Sequence, residues 1–414
     1  MVIFRRRDSN RKGVLILVEN LSVPFDRRVW QEACTLRDAG YAVSVIGPTG
    51  APPYDGRFEV RDGIHLYRYP LVEASTAAGY LCEYATALFW TLVLSIKIWA
   101  TRGFDAIHAC NPPDLFFAIA APYKLLGKKF VFDHHDINPE LYEAKFGRRD
   151  LYHRLLLKLE RMSFFFADVS IATNDSYRRI AIRRGRMPPS RVFVVRSGPS
   201  AKRMRVAAAD PSLKHGRRFL VGYVGVMGRQ EGIDCLLRAA RHIIRDLGRH
   251  DIHFTLVGGG TALADMQELA KQLKVDSHVT FTGRVPDAEL LAVLNTADVC
   301  VNPDRANAMN DMSTMNKIME YMALGKPIVQ FDLTEGRYSA RAASLYARRN
   351  DIRDFAAKIV ALLDDPAQRA RMGEFGRRRF LHELEWTHQA HRLLCAYETL
   401  WQPHAAQHNE PSAT

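Results

Sequence analysis

The start of the chain alternates between strand-like and helix-like patterns of apolar residues. Residues 13–19 form a short apolar run, which predicts a buried strand. Apolar positions in residues 27–39 recur with helical spacing, Gly40 closes that helix, and residues 41–46 form a second apolar run. This β-α-β opening predicts a parallel, doubly wound sheet, in which ligands bind at the carboxyl ends of the strands.

Apolar runs of strand length recur through both halves of the chain. Those of the first half lie near residues 104–110, 129–133, 167–171 and 191–195. Those of the second half lie near residues 219–225, 252–257, 278–282, 298–302 and 327–331. The polar residues 197–218 between them predict a linker. We therefore expect two α/β domains, residues 1–200 and 215–385, and a last helix at about 386–402 that packs back on the first domain.

The most apolar stretch of helical length is residues 84–100, with Lys97 near its end. Its seventeen residues are at the lower limit for spanning a bilayer. Three interpretations are open: a buried core helix, a helix on a membrane surface, and a true span. We expect the preceding residues 71–81 to form a loop.

Composition narrows the functional classes. The 47% hydrophobic and 25% charged residues are typical of a globular protein. The net charge of +13 is concentrated in residues 1–200, which hold 29 Lys and Arg against 20 Asp and Glu. This half therefore suits an anionic lipid surface or a phosphorylated ligand, and no RNP-like, zinc-finger or homeodomain pattern favours nucleic acid. The six cysteines are scattered without a CxxC pair, which predicts a cytoplasmic protein without structural zinc.

Residues 310–327, NDMSTMNKIMEYMALGKP, predict a helix that can bind a phosphorylated ligand. Ser313 and Thr314 can cap its start, where free N–H groups and the helix dipole favour phosphate. Lys317 and Glu320 follow on one face, so an ammonium can lie near a diphosphate and a carboxylate near ribose hydroxyls. The alternative is a buried amphipathic helix with one surface ion pair.

The first half offers two polar candidates at strand ends. Arg27 and Arg28 begin a helix and can hold an anionic acceptor, although two solvated arginines are the simpler interpretation. The loop before them has no GxGxxG pattern, which argues against a dinucleotide site. His134, His135 and Asp136 follow a strand and form a polar site. Adjacent side chains on a strand point to opposite faces, so we expect no metal there.

Taken together, these segments resemble the retaining glycosyltransferases of family four, which have two Rossmann-like domains in the GT-B arrangement. The matching segments occur in the family's order over roughly residues 14–340. They are PFDRRVWQEACTLRDAGYAVSVI, DAIHACNPPDLFF, FDHHDINPE, YVGVMGRQEGIDCLLRAA, TLVGGG, FTGRVPDAELLAVLNTADVCVNP and NKIMEYMALGKPIV.

The resemblance implies roles for individual residues. Glu320 matches the second glutamate of the family's E-x7-E pattern, but Met312 stands where the first belongs. Val226 and Glu231 stand where the family has its Arg and Lys ligands to the diphosphate. The expected donor site therefore uses substitutes and turns, namely Gly225, Gly228, Arg229, Gly258, Gly259, Arg284, Ser313, Thr314, Lys317 and Glu320. The expected catalytic residues are His135, Asp136 and Lys317, with Asp136 fixing the ring of His135, and the expected acceptor residues are Arg27, Arg28 and His108.

The resemblance predicts a metal-independent, hexosyltransferase-type enzyme without a cofactor. It would transfer a sugar, with retention, from a nucleoside diphosphate to a saccharide or lipid-linked saccharide in cell-surface or exopolysaccharide synthesis. The expected location is the cytoplasm, including the inner face of the cytoplasmic membrane, where an anionic surface is a candidate partner. Two alternatives are a protein of the same fold that binds nucleotide sugar or glycan without turnover, and a nucleotide-sugar epimerase.

Overall fold

The computed structural model of the chain describes residues 11–70 and 77–402, apart from the side chains of residues 77–82 and of Arg229. It contains two sheets, each flanked by helices. The strands are β1 Gly13–Leu17, β2 Ala42–Pro48, β3 Phe58–Arg61, β4 Ile64–Tyr69, β5 Ala106–Cys110, β6 Lys129–His134, β7 Val169–Ala172, β8 Val192–Val194, β9 Phe219–Val224, β10 Ile252–Val257, β11 Val279–Gly283, β12 Val299–Asn302, β13 Ile328–Phe331 and β14 Ser344–Ala347.

The helices connect these strands and cover both faces of each sheet. They are α1 Arg27–Asp38, α2 Ala77–Thr101, α3 Phe117–Leu125, α4 Asn138–Phe146, α5 Leu151–Phe166, α6 Asp175–Arg183, α7 Ile233–Arg241, α8 Leu263–Gln272, α9 Asp287–Thr296, α10 Ala308–Met312, α11 Asn316–Ala323, α12 Thr334–Ala340, α13 Ile352–Asp364, α14 Pro366–Arg379 and α15 Trp386–Trp401.

The first sheet has eight strands in the order β3-β4-β2-β1-β5-β6-β7-β8. All neighbouring pairs are parallel except β3 and β4, which form a hairpin at Asp62 and Gly63. The second sheet has six parallel strands in the order β11-β10-β9-β12-β13-β14. The five strands predicted for the second half lie within two residues of β9 to β13, whereas the β3–β4 hairpin and β14 were not predicted.

The two faces of the first sheet are covered differently. Helices α2, α3 and α5 contribute to the core on one face. On the other face, α1 packs beside α15, whose residues Trp386, Leu393 and Tyr397 belong to the first domain's core. The chain therefore returns to the first domain after it has completed the second.

Helix α2 is longer than predicted. It includes residues 77–81, which we expected in a loop, and residues 71–76 of that loop lie outside the described part of the chain. Its stretch Glu83–Thr101 is long and apolar enough, by length and composition, to cross a membrane, and only 22% of it is buried. Strands β4 and β5, which precede and follow α2, belong to the same sheet, and α2 packs on one face of that sheet.

The predicted helix at 310–325 is two helices. Asn307 caps α10 by accepting a hydrogen bond from the N–H of Asn310, and α10 ends at Met312. Ser313 is extended and Met315 is the N-cap of α11. The predicted cap residues Ser313 and Thr314 thus lie directly before the N-cap of α11, and the short helix α10 was not predicted.

Candidate functional site

The first domain's half of the site is a buried cluster around Arg28. Nη2 of Arg28 lies 3.0 Å from Oδ1 of Asp133 and 3.1 Å from Oε1 of Glu32. Nη1 donates to the carbonyl of Val195 over 2.8 Å. Arg28 is thus not a solvated arginine, because two carboxylates and a main-chain carbonyl fix its guanidinium.

Asp133 holds the candidate catalytic histidine. Its Oδ2 lies 2.6 Å from Nε2 of His135, because alternate residues of a strand point to the same side. Burial alone would raise the pKa of Asp133, but Arg28 and His135 outweigh it and hold this pKa well below its usual range. The prediction that Asp136 fixes the ring is wrong: Asp136 uses its main chain, which bonds the side chain of Asn111.

The two other candidate histidines, His134 and His108, lie in the protein core. His134 packs against Phe132, Phe164 and Tyr177 and is fully buried. His108 is also fully buried, with Nδ1 2.9 Å from the hydroxyl of Tyr397, and burial lowers its pKa. The assignment of His108 to acceptor binding is therefore wrong, because no surface of this side chain is open to a ligand.

The Arg28 cluster includes the only group with the spacing of metal ligands among the described residues. Donor atoms of Glu32, Cys110, Asp133 and His135 lie within 4.8 Å of one another. The guanidinium of Arg28 already lies between two of them, and burial raises the pKa values of the Glu32 carboxyl and the Cys110 thiol well above their usual ranges. This donor set is thus filled by an arginine and protonated groups, and does not fit a metal ion.

The second domain's half of the site is a cluster around Lys317. Its Nζ lies 3.0 and 3.1 Å from the two carboxylate oxygens of Asp304 and 3.1 Å from Oε2 of Glu231. Burial raises the pKa of Asp304 to about 7, against the opposing charge of Lys317. Lys317 does not pair with Glu320, as the simpler interpretation of the helix required; it is buried between the other two carboxyl groups.

Two glycine turns of the second domain meet beside Lys317. A Cβ on Gly258, at φ +132°, would lie 1.9 Å from the carbonyl oxygen of Gly225, so only glycine allows this approach. A Cβ on Gly225 would lie 3.1 Å from Cε of Lys317. Gly228 lies in the first turn, where Met227 donates its N–H to the carbonyl of Gly259 over 3.0 Å. These turns lie at the carboxyl ends of β9 and β10, the edge where ligands bind in sheets of this type.

Two of the predicted donor-binding residues near these turns are arginines. Arg284 follows β11, is exposed, and its Cγ would lie 3.3 Å from a Cβ on Gly259. Arg229 opens the short 3-10 turn after Gly228, and its side chain lies outside the described part of the structure.

Glu320 lies at a pocket between the two domains. Nη1 of Arg203, in the linker, donates to Oε1 of Glu320 over 2.7 Å, and Nη1 of Arg27 lies 3.8 Å from the same oxygen. The pocket has a volume of about 200 Å³. Its lining includes Arg27, Arg28, Gln31, Arg203, Asn316 and Glu320. The structure thus brings both predicted acceptor arginines and the predicted ribose ligand to one cavity.

The break before α11 is bound to the first domain. Asn174 donates to the carbonyl of Met312 over 2.8 Å and to Oγ1 of Thr314 over 3.1 Å. The hydroxyls of Tyr177 and Ser313 lie 3.1 Å apart. The side chains of Ser313 and Thr314 therefore hold the domains together. That main-chain N–H groups of residues 313–315 bind the donor stays a prediction.

A buried ion pair strengthens the same contact. Arg196, after β8, lies 3.3 Å from Oε2 of Glu335 and 2.9 Å from Oδ2 of Asp175. Oε1 of Glu335 accepts from the hydroxyl of Ser176 over 2.6 Å. No local pattern in the sequence marks Arg196 and Glu335 as a pair, because they are 139 residues apart in the chain.

Two missed residues had a signal in the sequence. Asp133 and His135 have the two-residue spacing that places side chains on one side of a strand. Asp304 follows the predicted strand at 298–302, at the edge where ligands bind. Strand alternation thus marks Asp133, and its place after a strand end marks Asp304.

Sequence comparison matches each domain to a glycosyltransferase family model. Residues 26–203 match Glycosyltransferase Family 4, and residues 218–365 match Glycosyl transferases group 1. The chain is 29% identical over 257 residues to the D-inositol 3-phosphate glycosyltransferase of Nocardia farcinica, which covers 58% of this chain and 55% of that protein. It is 28% identical over 169 residues to a GDP-mannose-dependent mannosyltransferase of Corynebacterium glutamicum, covering 40% of this chain and 43% of that protein. The chain thus spans about half the length of the curated relatives it matches.

Solved structures extend the similarity to the whole fold. Sucrose-phosphate synthase from Thermosynechococcus elongatus has a TM-score of 0.75 at 18% identity, over 94% of this chain and 99% of that chain. Anabaena HepE in complex with UDP-glucose has a TM-score of 0.71 at 14% identity, over 94% and 99%. The expected GT-B architecture is thereby confirmed, with two parallel-sheet domains.

Proposed function

We propose that this chain, which is built from two domains matching glycosyltransferase families, transfers a sugar from a nucleoside-diphosphate donor to a hydroxyl of a saccharide or lipid-linked saccharide. The observation that carries the proposal is the pocket between the domains. Arg27 and Arg28 of the first domain line it together with Glu320 of α11. A two-substrate transfer needs such a site, because donor and acceptor must be held together in one orientation.

The donor would occupy the second domain. Glu320 accepts from ribose hydroxyls in this proposal, and the glycine turns after β9 and β10 let a diphosphate approach the main chain. The start of α11 adds N–H groups and the positive end of a helix dipole. The donor class is further supported by HepE, a protein of the same fold, which binds UDP and UDP-glucose.

The reaction breaks the bond between the anomeric carbon and a diphosphate oxygen, forms a bond to the acceptor oxygen, and releases the acceptor proton. Negative charge grows on the diphosphate as it leaves, and fixed N–H groups and cations that bind it more tightly then lower the barrier. In our proposal His135, held by Asp133, orients the sugar. We propose retention at the anomeric carbon, no metal or cofactor, and a cytoplasmic role in polysaccharide synthesis.

One observation favours a second candidate, a protein that binds nucleotide sugar or glycan without turnover. Lys317, the predicted diphosphate ligand, is held by Asp304 and Glu231. Because Met312 and Val226 also replace polar residues of the family pattern, stabilisation of the leaving group rests on main-chain groups and exposed arginines. Weak stabilisation of a diphosphate is sufficient for binding and insufficient for fast transfer.

The proposal is tested by incubating the full chain with nucleoside-diphosphate sugars of different bases, candidate acceptors and a chelator, and measuring released nucleoside diphosphate. We expect Glu320→Ala to lower turnover at least about tenfold, because the ribose loses a charged acceptor. Asp287→Asn is the matched control, since Asp287 is the other carboxylate that Arg203 binds. Donor-dependent thermal stabilisation without any turnover would favour the binding protein. A changed sugar nucleotide without acceptor would indicate an epimerase.

A further inference from the structure

Helix α2 has its bulky apolar side chains on the outside. Phe89 is 59% exposed and Ile96 50% exposed, and Leu92, Val93 and Trp99 are exposed beside them at helical spacing. The inner side holds the buried Ala87, Thr91, Ser95 and Ile98, and the partly buried Leu88, Trp90 and Leu94 pack against the core. A helix on the surface of a soluble protein presents polar residues on its outer side, whereas the outer side of α2 is mostly apolar. The exposed apolar side of α2 therefore indicates an interaction surface.

Two neighbouring helices extend this apolar surface. Leu125 at the end of α3 is 90% exposed, and Leu151 and Phe165 on α5 are 80% and 75% exposed. Helices α2, α3 and α5 cover the same face of the sheet, and the rings of Phe117 on α3 and Phe166 on α5 are stacked. We call the outer sides of these three helices the α2–α5 surface.

The charged residues of the α2–α5 surface are basic. Lys97 on α2 and Arg154, Lys158 and Arg161 on α5 are exposed. The only acidic residue of α5, Glu160, is buried and pairs with Arg184, and residues 84–101 of α2 contain no acid. Long basic side chains can lay their methylene groups along an apolar surface and keep their charges at its rim.

We propose that the α2–α5 surface docks on an anionic lipid bilayer. Apolar side chains at the centre with cations at the edge match the acyl region and the charged headgroups of such a membrane. The helix would lie in the plane of the interface, since it remains packed on one face of the first sheet. A second copy of the chain is a poorer occupant, because a two-fold contact through this surface would place like charges opposite one another.

One end of the α2–α5 surface, where α2 and α5 begin, lies next to the cleft. Helix α2 follows the carboxyl end of β4, and α5 follows the connection from the carboxyl end of β6, so both begin near the edge of the sheet that carries the site. A membrane against them would present a lipid headgroup near that edge. The acceptor class is then a saccharide carried on a membrane lipid, and this acceptor assignment alone rests on the proposed function.

Co-sedimentation of the full chain with vesicles tests the docking without any need for turnover. We expect binding to vesicles that contain phosphatidylglycerol and weaker binding to pure phosphatidylcholine. Ile96→Asn combined with Trp99→Gln should lower the partition coefficient about tenfold or more, because two apolar side chains no longer enter the bilayer. Leu247→Ser, at an exposed apolar residue of the second domain, is the matched control.

A charge variant and a measurement of assembly complete the test. Lys158→Glu with Arg161→Glu should lower binding to anionic vesicles at least about fivefold, and Arg371→Glu on the exposed side of α14 should not. Unchanged melting temperatures show that the variants fold. The proposal is overturned if both α2–α5 variants bind vesicles as tightly as the unchanged chain. It is also overturned if the chain forms a dimer in solution that these variants dissociate. If the chain binds vesicles but releases no nucleoside diphosphate, the docking proposal stands and the proposed function fails.

Discussion

The two halves of the site are built alike and differ in what their cation can do. Each holds one cation between two carboxyl groups: Arg28 with Glu32 and Asp133, and Lys317 with Asp304 and Glu231. In each cluster burial raises the pKa of one carboxyl, Glu32 in the first and Asp304 in the second. Both clusters thus avoid an uncompensated buried charge, which would be costly.

The difference lies in the remaining contacts. Asp133 uses its second oxygen to hold His135, so the first cluster positions a side chain at the pocket. In the second cluster both Asp304 and Glu231 bind Lys317, so a diphosphate must compete with these two carboxyl groups for the ammonium. A cation seen in a sequence motif is therefore a ligand candidate only after its carboxylate partners are known.

The largest expected effect comes from the first cluster. Asp133→Asn leaves Arg28 buried without its charged partner and loosens His135, so we expect a loss of about 3 kcal/mol in the free energy of unfolding. Urea denaturation followed by circular dichroism measures it. Asp136→Asn is the control, because Asp136 makes its described hydrogen bonds through the main chain. Equal losses in the two variants would contradict the assignment of Asp133.

The second cluster should show a pH dependence that comes from Asp304. The pKa of Asp304 rises from 3.8 to about 7 on folding, so the native state binds one more proton between these values. The free energy of unfolding contributed by this group therefore falls as pH rises from 4 to 7. Asp304→Asn should remove this slope, by at most about 1.4 kcal/mol per pH unit. Urea denaturation of both proteins at pH 5, 6, 7 and 8 measures the free energy of unfolding. If it changes with pH equally in the two proteins, Asp304 is not the titrating group.

The smallest expected effect tests the competition for Lys317. Glu231→Gln removes one of the charges that hold the ammonium, so we expect nucleoside diphosphate to bind about fivefold more tightly, or ~1 kcal/mol. Isothermal titration calorimetry with the nucleoside diphosphate of the preferred donor measures the Kd. Glu289→Gln, at an exposed residue of α9, is the control. Weaker binding in the Glu231 variant would mean that Glu231 supports the ligand.

The fold was largely predictable because buried parallel strands read as short apolar runs. Strands β9 to β13 appear in the sequence within two residues of their observed positions. The β3–β4 hairpin was missed although Asp62 and Gly63 are a common turn pair, since its strand β3 is mostly exposed and lacks an apolar run. The helix start after Ser313 and Thr314 was marked by these polar residues, whereas the short helix α10 before them was missed.

The sequence by itself determined the two-domain α/β architecture, the glycine turns and the placing of His135, Lys317 and Glu320 at strand ends and on one helix. These are local properties, set by hydrophobic period and by turn residues. Only the tertiary structure decided which charges are paired. Arg28 with Asp133 and Arg203 with Glu320 are more than a hundred residues apart, and the balance between burial and Coulomb attraction depends on distances that no spacing in the chain encodes.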